Sequence, residues 1–240
     1  MWSPPVGDAA GVPALIDAVR TRLADIAARH QRVALASSLQ AEDQLLTALI
    51  AREALPIDVF VLETGRLHAE TLDLIAATEQ ALGLTILRIS PDPAEVTALV
   101  ARDGLHGFYD SVAARLACCG VRKVVPLRAT LSGRGAWITG QRRAQAAGRA
   151  ALAFEEHDDA HGLAKFNPLA DWSLAQVWAA VSALGVPTNP LHAQGFPSIG
   201  CEPCTRAIRA DEDVRAGRWW WEQSSTKECG LHLRPAATAA

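Results

Sequence analysis

Apolar positions along this chain follow two alternating rhythms. From Pro13 to His30, the residues Leu15, Ile16, Val19, Leu23 and Ile26 recur at three- and four-residue steps, which predicts an amphipathic helix. Arg32–Ser37 (RVALAS) is a short apolar run that stops in a polar loop, and a second helix is expected from about Ala41 to Glu53. Ile57–Glu63 (IDVFVLE) is rich in strand formers and breaks at Thr64-Gly65, ahead of a helix reaching about Leu82. Leu84–Ser90 (LTILRIS), stopped by Pro91-Asp92-Pro93, predicts a third strand. Ala136–Gly140 predicts a fourth, and Ala164–Leu169 (AKFNPL) is a candidate fifth.

Strands alternating with helices of ten to fifteen residues predict an α/β fold: a parallel, twisted sheet flanked by helices. Ligands of such sheets bind at the carboxyl ends of the strands. That rule singles out three loops, Ser37–Asp43, Glu63–His68 and Gly140–Arg149. From about Ala170 onward the strand signal fades, and a helical and loop extension is expected to cap a single domain. Residues 1–13 are expected to be a flexible N-terminus, 14–222 the folded domain and 223–240 a mobile tail.

Length and composition narrow the class. A chain of 240 residues suits one sizeable α/β domain, with half its residues hydrophobic and a fifth charged. No run approaches the ~18 apolar residues of a membrane span, and the opening MWSPPVGDAAGVP lacks a basic segment followed by an apolar one. We therefore expect a cytoplasmic protein with no membrane association. The formal net charge of −3 argues against general nucleic-acid binding.

In a reducing compartment, five cysteines are better explained as ligands or catalysts than as staples. Cys118 and Cys119 are adjacent, Cys201 and Cys204 form a C-x-x-C, and Cys229 stands alone in KECGLH. Adjacent cysteines rarely serve one tetrahedral zinc, whose ligands usually stand two to four residues apart. A cubane iron–sulfur cluster takes one thiolate at each of four separate irons, so two close pairs suit it; zinc and a redox disulfide remain the alternatives. Cys229 has Lys227 and His232 near it in sequence, and neighbouring cations raise the thiolate fraction of a thiol.

The loops carry anion-binding chemistry. Ser37 and Ser38 precede a helix start that suits a phosphate-type anion, although helix capping would explain them equally well. Arg66 and His68 follow the second strand, and Arg142, Arg143 and Arg149 the fourth. Arg122 and Lys123 come directly after the first cysteine pair. Arg206, Arg209, Arg215 and Arg218 lead into Trp219-Trp220-Trp221. Each stretch alone could be an ordinary turn, a solvated face or domain-closing packing. Three such loops on one sheet edge favour a site for an anionic ligand.

Together, CCGVRK, TGQRR, GCEPC, GRWWWE and KECGLH resemble the assimilatory adenosine 5′-phosphosulfate (APS) reductases, within the wider phosphosulfate reductase family. The resemblance runs from about Ala34 to His232. It implies a fold related to the adenine nucleotide alpha hydrolases (the PP-loop group), and reduction of APS to sulfite and AMP in cysteine biosynthesis. It further implies a 4Fe–4S cluster on Cys118, Cys119, Cys201 and Cys204, with Cys229 as nucleophile and an S-sulfocysteine intermediate. Substrate contacts are implied at Ser37, Ser38, Leu62, Thr64, Gly65, Arg66, Lys123, Gly140, Arg142, Arg149, Arg215 and Arg218. Thioredoxin or a glutaredoxin-like carrier is the implied electron donor, and a homo-oligomer is expected.

Two departures from that family's pattern stand out. Gln40 occupies the place of a glycine in SSLQAED, and AQAAGR replaces a more usual Gln-Ser-Pro-Thr-Arg, which bears on Arg149. Three rival readings have distinct signatures. The same chemistry on the 3′-phosphorylated substrate would go with loss of the cysteine pairs. A PP-loop tRNA sulfurtransferase would need a Ser-Gly-Gly-x-Asp-Ser loop, which the sequence lacks. A metal-binding or redox-sensing module would leave the arginine-rich loops without a purpose.

Overall fold

Three strands carry the site: Val33–Ser37 (β1), Ile57–Leu62 (β2) and Ala136–Ile138 (β4). Their side chains alternate between two apolar layers. Val33, Leu35, Val59, Val61, Ala136 and Ile138 face one core, while Ala34, Phe60 and Trp137 face the other. Burial on both faces explains why these strands read as continuous apolar runs. Ile86–Ile89 (β3), Glu155–Asp158 (β5) and Leu163–Phe166 (β6) complete a six-stranded sheet of order β3-β2-β1-β4-β6-β5. Every neighbouring pair is parallel except β5 with β6.

The computed structural model describes residues 1–6, 11–223 and 231. Val12–Arg29 (α1), Ala41–Arg52 (α2), Ala69–Leu82 (α3) and Leu174–Leu184 (α7) contribute to the larger core. Val125–Leu131 (α6) closes the other face through Leu127 and Leu131. Pro93–Asp103 (α4) and Val112–Cys119 (α5) come between α3 and α6 along the chain. Ser111 and Ser173 cap α5 and α7 by accepting from the backbone N–H three residues on.

Several elements depart from expectation. The strands are shorter than their apolar runs. β5 (EEHD) was not expected at all: it is an antiparallel edge strand whose residues are exposed or half-buried, so it carries no apolar signal. The helical stretch from Val112 to Leu131 was also unexpected, because Gly120 and Pro126 interrupt it. The chain accommodates both by a π-helical turn at Gly120–Val124 between α5 and α6. Within the segment expected to be loose, the Trp2 N–H donates to the Ile208 carbonyl and α1 starts at Val12. No helix among the described residues is long and apolar enough to cross a membrane.

The sheet order also places the site. The chain builds β1, β2 and β3 outward in one direction, then returns to lay β4 on the other flank of β1. The loops after β1 and β4 therefore diverge, leaving a crevice at the carboxyl ends of the strands.

Candidate active site

A cleft of about 1470 Å³, including its open mouth, occupies that crevice. The loops after β1, β2 and β4 meet there, joined by Lys123 from the π-helical turn and by Arg215 and Arg218 from the segment after the C-x-x-C. One wall is apolar, with Phe60, Leu62, Leu127 and Trp137 among its residues, and Leu231 lies against it. The other wall is polar and cationic. A cleft with these two walls suits a planar apolar ring joined to an anion.

The β1–α2 loop is fixed from within. Ser37 Oγ accepts from the Leu39 N–H at 3.1 Å, and Leu39 holds the left-handed conformation (φ 60°) that a glycine would take without strain. Gln40 Oε1 accepts from the Ile199 N–H at 3.1 Å, so the side chain at the glycine-replacing position ties this loop to the segment before the C-x-x-C. Asp43 is buried and joins two loops. It accepts from Ser38 N–H (2.7 Å) and Oγ–H (2.5 Å) with one oxygen, and from Gly140 N–H (3.1 Å) with the other. A Cβ at residue 140 would run into this carboxylate, which explains the glycine.

Burial pushes the Asp43 carboxyl up to about 6, against the pull of its hydrogen bonds. The folded value lies above the unfolded one, so its contribution to stability is full below the ordinary carboxylate range. That contribution falls as pH rises through about 6 and is flat beyond.

A second carboxylate organises the arginines. Glu42 Oε1 accepts from Arg142 Nε (2.9 Å) and Nη2 (2.8 Å) and from Gln145 Nε2 (3.0 Å). Gln145 Oε1 in turn accepts from Arg149 Nη1 at 2.5 Å. Arg142 is thus neutralised in the wall, while Arg149 is steered into the cleft through Gln145.

Beside the cleft lies a smaller cavity, about 320 Å³ including the space open to solvent, lined by Cys118, Cys119, Cys201 and Cys204 together with Arg66, Arg115, Arg122 and Lys123. Lys123 and Cys201 line both cavities. No three of the described His, Cys, Asp and Glu side chains are placed to hold a single metal ion. The four thiols instead stand around the walls of one cavity, ringed by four cations.

Their surroundings differ. Burial raises Cys118, with Arg122 opposing, and burial followed by the charge of Cys201 pushes Cys204 up to about 12. Burial would raise Cys201 as well, but Lys123, the Thr64 hydroxyl (3.2 Å from Sγ) and Arg218 outweigh it, and the thiol sits below its ordinary value.

Of the residues singled out from sequence, Ser37, Ser38, Leu62, Thr64, Lys123, Gly140, Arg142, Arg149, Arg215 and Arg218 line the cleft. Gly65 and Arg66 do not. Gly65 (φ 70°) lets the chain turn beside Arg122, whose Nη1 donates to the Thr64 carbonyl. Arg66 donates to the Leu105 carbonyl, lies over Phe108 and faces the cysteine cavity. His68, at the start of α3, is buried against Phe196. Cys229 falls outside the described residues, though Leu231, two positions on, lines the cleft.

Sequence reasoning missed the structural work of Glu42 and Asp43, since acidic residues in a first helical turn read as ordinary dipole partners, and that of Gln145, an uncharged side chain in a loop read for its arginines. It also missed Arg115, which is buried with Glu222 at 2.7 Å.

The family model of the phosphoadenosine phosphosulfate reductase domain matches residues 32–207. An adenosine 5′-phosphosulfate reductase from Burkholderia cepacia is 55% identical over 220 residues, covering 92% of this chain and 88% of that protein. The same-named protein of Neisseria meningitidis serogroup A (strain DSM 15465 / Z2491) is 48% identical over 236 residues, 97% of each chain. Among solved structures, the phosphoadenylyl-sulfate reductase of Candida auris, in a phosphate complex, aligns with a TM-score of 0.66 at 22% identity, over 82% of this chain and 96% of that one. The NMN synthetase of Francisella tularensis aligns at 0.54 with 14% identity, over 73% and 71%. At such identities these two likenesses speak for the fold alone.

Proposed function

This chain belongs to the phosphoadenosine phosphosulfate reductase domain family, and on that premise we propose that it reduces APS to sulfite and AMP for sulfate assimilation. One observation carries the proposal. A single cleft at the carboxyl ends of β1, β2 and β4 gathers Ser37, Ser38, Lys123, Arg149, Arg215 and Arg218, and shares Lys123 and Cys201 with the four-thiol cavity.

In this reading the adenosine lies against the apolar wall near Leu62, and the phosphosulfate faces the cations. The Cys229 thiolate attacks the sulfur of the sulfo group, the S–O bond to phosphate breaks, and AMP leaves with the electron pair. The product is an S-sulfocysteine. A thiolate of thioredoxin or a glutaredoxin-like carrier then attacks the Cys229 sulfur and releases sulfite. The carrier's second thiol resolves the mixed disulfide, so two electrons pass from dithiol to sulfur. Attack of one anion on another is uphill, and Lys123, Arg149, Arg215 and Arg218 offset the repulsion while charge moves onto the departing phosphate.

Cys118, Cys119, Cys201 and Cys204 would hold a 4Fe–4S cluster, whose contribution is structural and electrostatic. Two features support that donor set. The four thiols line one cavity, and Arg66, Arg122 and Lys123 beside them would complement an anionic group there. The reading also includes a cytoplasmic homo-oligomer and no nucleic-acid partner.

The test is product analysis with a reduced thioredoxin as donor. Stoichiometric sulfite and AMP from APS, with a lower kcat/KM for the 3′-phosphorylated nucleotide, is the expected result. Equal or higher kcat/KM for the latter would move the substrate assignment, and no sulfite from either would overturn the activity.

Asp43 adds a pH signature. At neutral pH its carboxylate accepts three hydrogen bonds that hold the two phosphate-side loops together, and protonation removes acceptor capacity. The kcat/KM profile should therefore fall on the acid side with a midpoint near 6. Asp43→Asn should raise KM about tenfold, the equivalent of one lost charge-assisted bond, and should flatten that limb. An unchanged limb in this variant would assign the titration to another group.

A further inference from the structure

Trp219 is buried at the wall of the cleft, packed with Cys201 and Cys204, and holds a positive φ of 42°, a conformation that bulky residues avoid. Two guanidinium groups lie over its ring. Arg218 stands 4.6 Å from the centroid and lines the cleft; Arg115 stands 4.8 Å away and lines the cysteine cavity. Arg115 is fixed by a two-pronged pair with Glu222 (2.8 and 2.7 Å) and by a hydrogen bond with Cys119. The backbone N–H of Trp219 donates to the Cys204 carbonyl at 3.0 Å, and Thr205 bridges to Arg218 in antiparallel fashion.

Arg218 is confined on its remaining sides. Its Nη1 donates to the Ile199 carbonyl at 3.1 Å and approaches Ser198 Oγ at 3.4 Å. The space where a Cβ of residue 200 would stand is taken by the guanidinium, with Cζ only 2.6 Å from that point. Gly200 and the indole thus form two walls of a slot, and the slot fixes where the charge meets the cleft.

We infer that Trp219 is a positioning residue for the sulfo-transfer reaction: it holds the Arg218 guanidinium at the cleft and is itself held by the cysteine cage through Cys204 and Arg115. The strained backbone at Trp219 is what lets one residue meet both partners. This inference rests on the reading of Arg218 as a substrate contact.

A double-mutant cycle tests it, measured as APS affinity by titration calorimetry in the Cys229→Ser background, which blocks turnover. Iron and acid-labile sulfide content are determined in parallel. Arg218→Ala should weaken APS binding by about tenfold or more. Trp219→Leu should weaken it comparably with iron and sulfide unchanged. The double variant should be no weaker than Arg218→Ala alone, because the indole acts only through that guanidinium. Trp219→Phe, which keeps a ring beneath the charge, should restore most of the affinity.

Gly200→Ala supplies an independent arm, since it crowds Arg218 without altering the indole, and should reproduce the Trp219→Leu loss. Multiplying effects of Trp219→Leu and Arg218→Ala would overturn the inference, as would a Trp219→Leu loss that tracks loss of iron. Wild-type affinity in Arg218→Ala would instead remove the substrate reading of Arg218 itself.

Discussion

Cys229→Ser should stop sulfite release, lowering turnover by at least ~10⁴-fold, while APS affinity and iron content stay within about twofold of the parent. A serine hydroxyl is almost wholly un-ionised at neutral pH and is a poor nucleophile without an adjacent base. In the proposed reading the four remaining cysteines are taken up by the cage, and three of them are buried, including Cys201, the one that also lines the cleft. The assay is single-turnover formation of AMP from APS, followed by sulfite determination after adding reduced thioredoxin. Loss of both AMP burst and sulfite places the defect at the first chemical step. A burst that survives would mean a different nucleophile.

The second large effect concerns stability. Arg115 and Glu222 form an ion pair whose side chains are 1% and 3% exposed, joined by two hydrogen bonds. Glu222→Ala leaves a buried guanidinium without its counter-charge, at a cost of about 3–5 kcal/mol. For a domain of this size each kcal/mol moves Tm by ~2–4 °C, so a fall of roughly 6–20 °C is expected by calorimetry at a fixed scan rate. Arg115 also reaches Cys119, so the variant should lose iron faster to a chelator. A Tm within about 2 °C of the parent would show that water or another side chain has replaced Glu222.

Much of this architecture was legible in the chain. RVALAS, IDVFVLE and AWITG were readable as strands because both faces of a parallel strand are buried, which leaves an uninterrupted apolar run. The EEHD strand was not, since an edge strand facing water needs no apolar residue. CCGVRKVVP was opaque for a different reason: glycine and proline normally end a helix, and only a π-helical turn lets this one continue.

The site divides the same way. Its cations were visible as clusters after strands, and ten of the twelve residues read as substrate contacts line the cleft. What the sequence does not encode locally is direction. Arg66 and Lys123 are both cations beside a motif, yet Arg66 turns to Phe108 and the Leu105 carbonyl, while Lys123 spans both cavities. Nor do Glu42 and Asp43 announce themselves, because their roles depend on Arg142, Gln145 and Gly140, brought in by a strand laid down about a hundred residues later.

Two cysteine pairs and one lone thiol underlie the proposed function, in which the pairs would build a cage and the single thiol would carry the sulfo group. The most direct test is intact-protein and peptide mass spectrometry after mixing the iron-loaded protein with APS in the absence of reductant. The account predicts one added sulfo group per chain, mapped to Cys229, formed with stoichiometric AMP and discharged as sulfite by reduced thioredoxin. AMP and sulfite formation by active protein with no adduct on Cys229, or with the sulfo group on a cage cysteine, would contradict it.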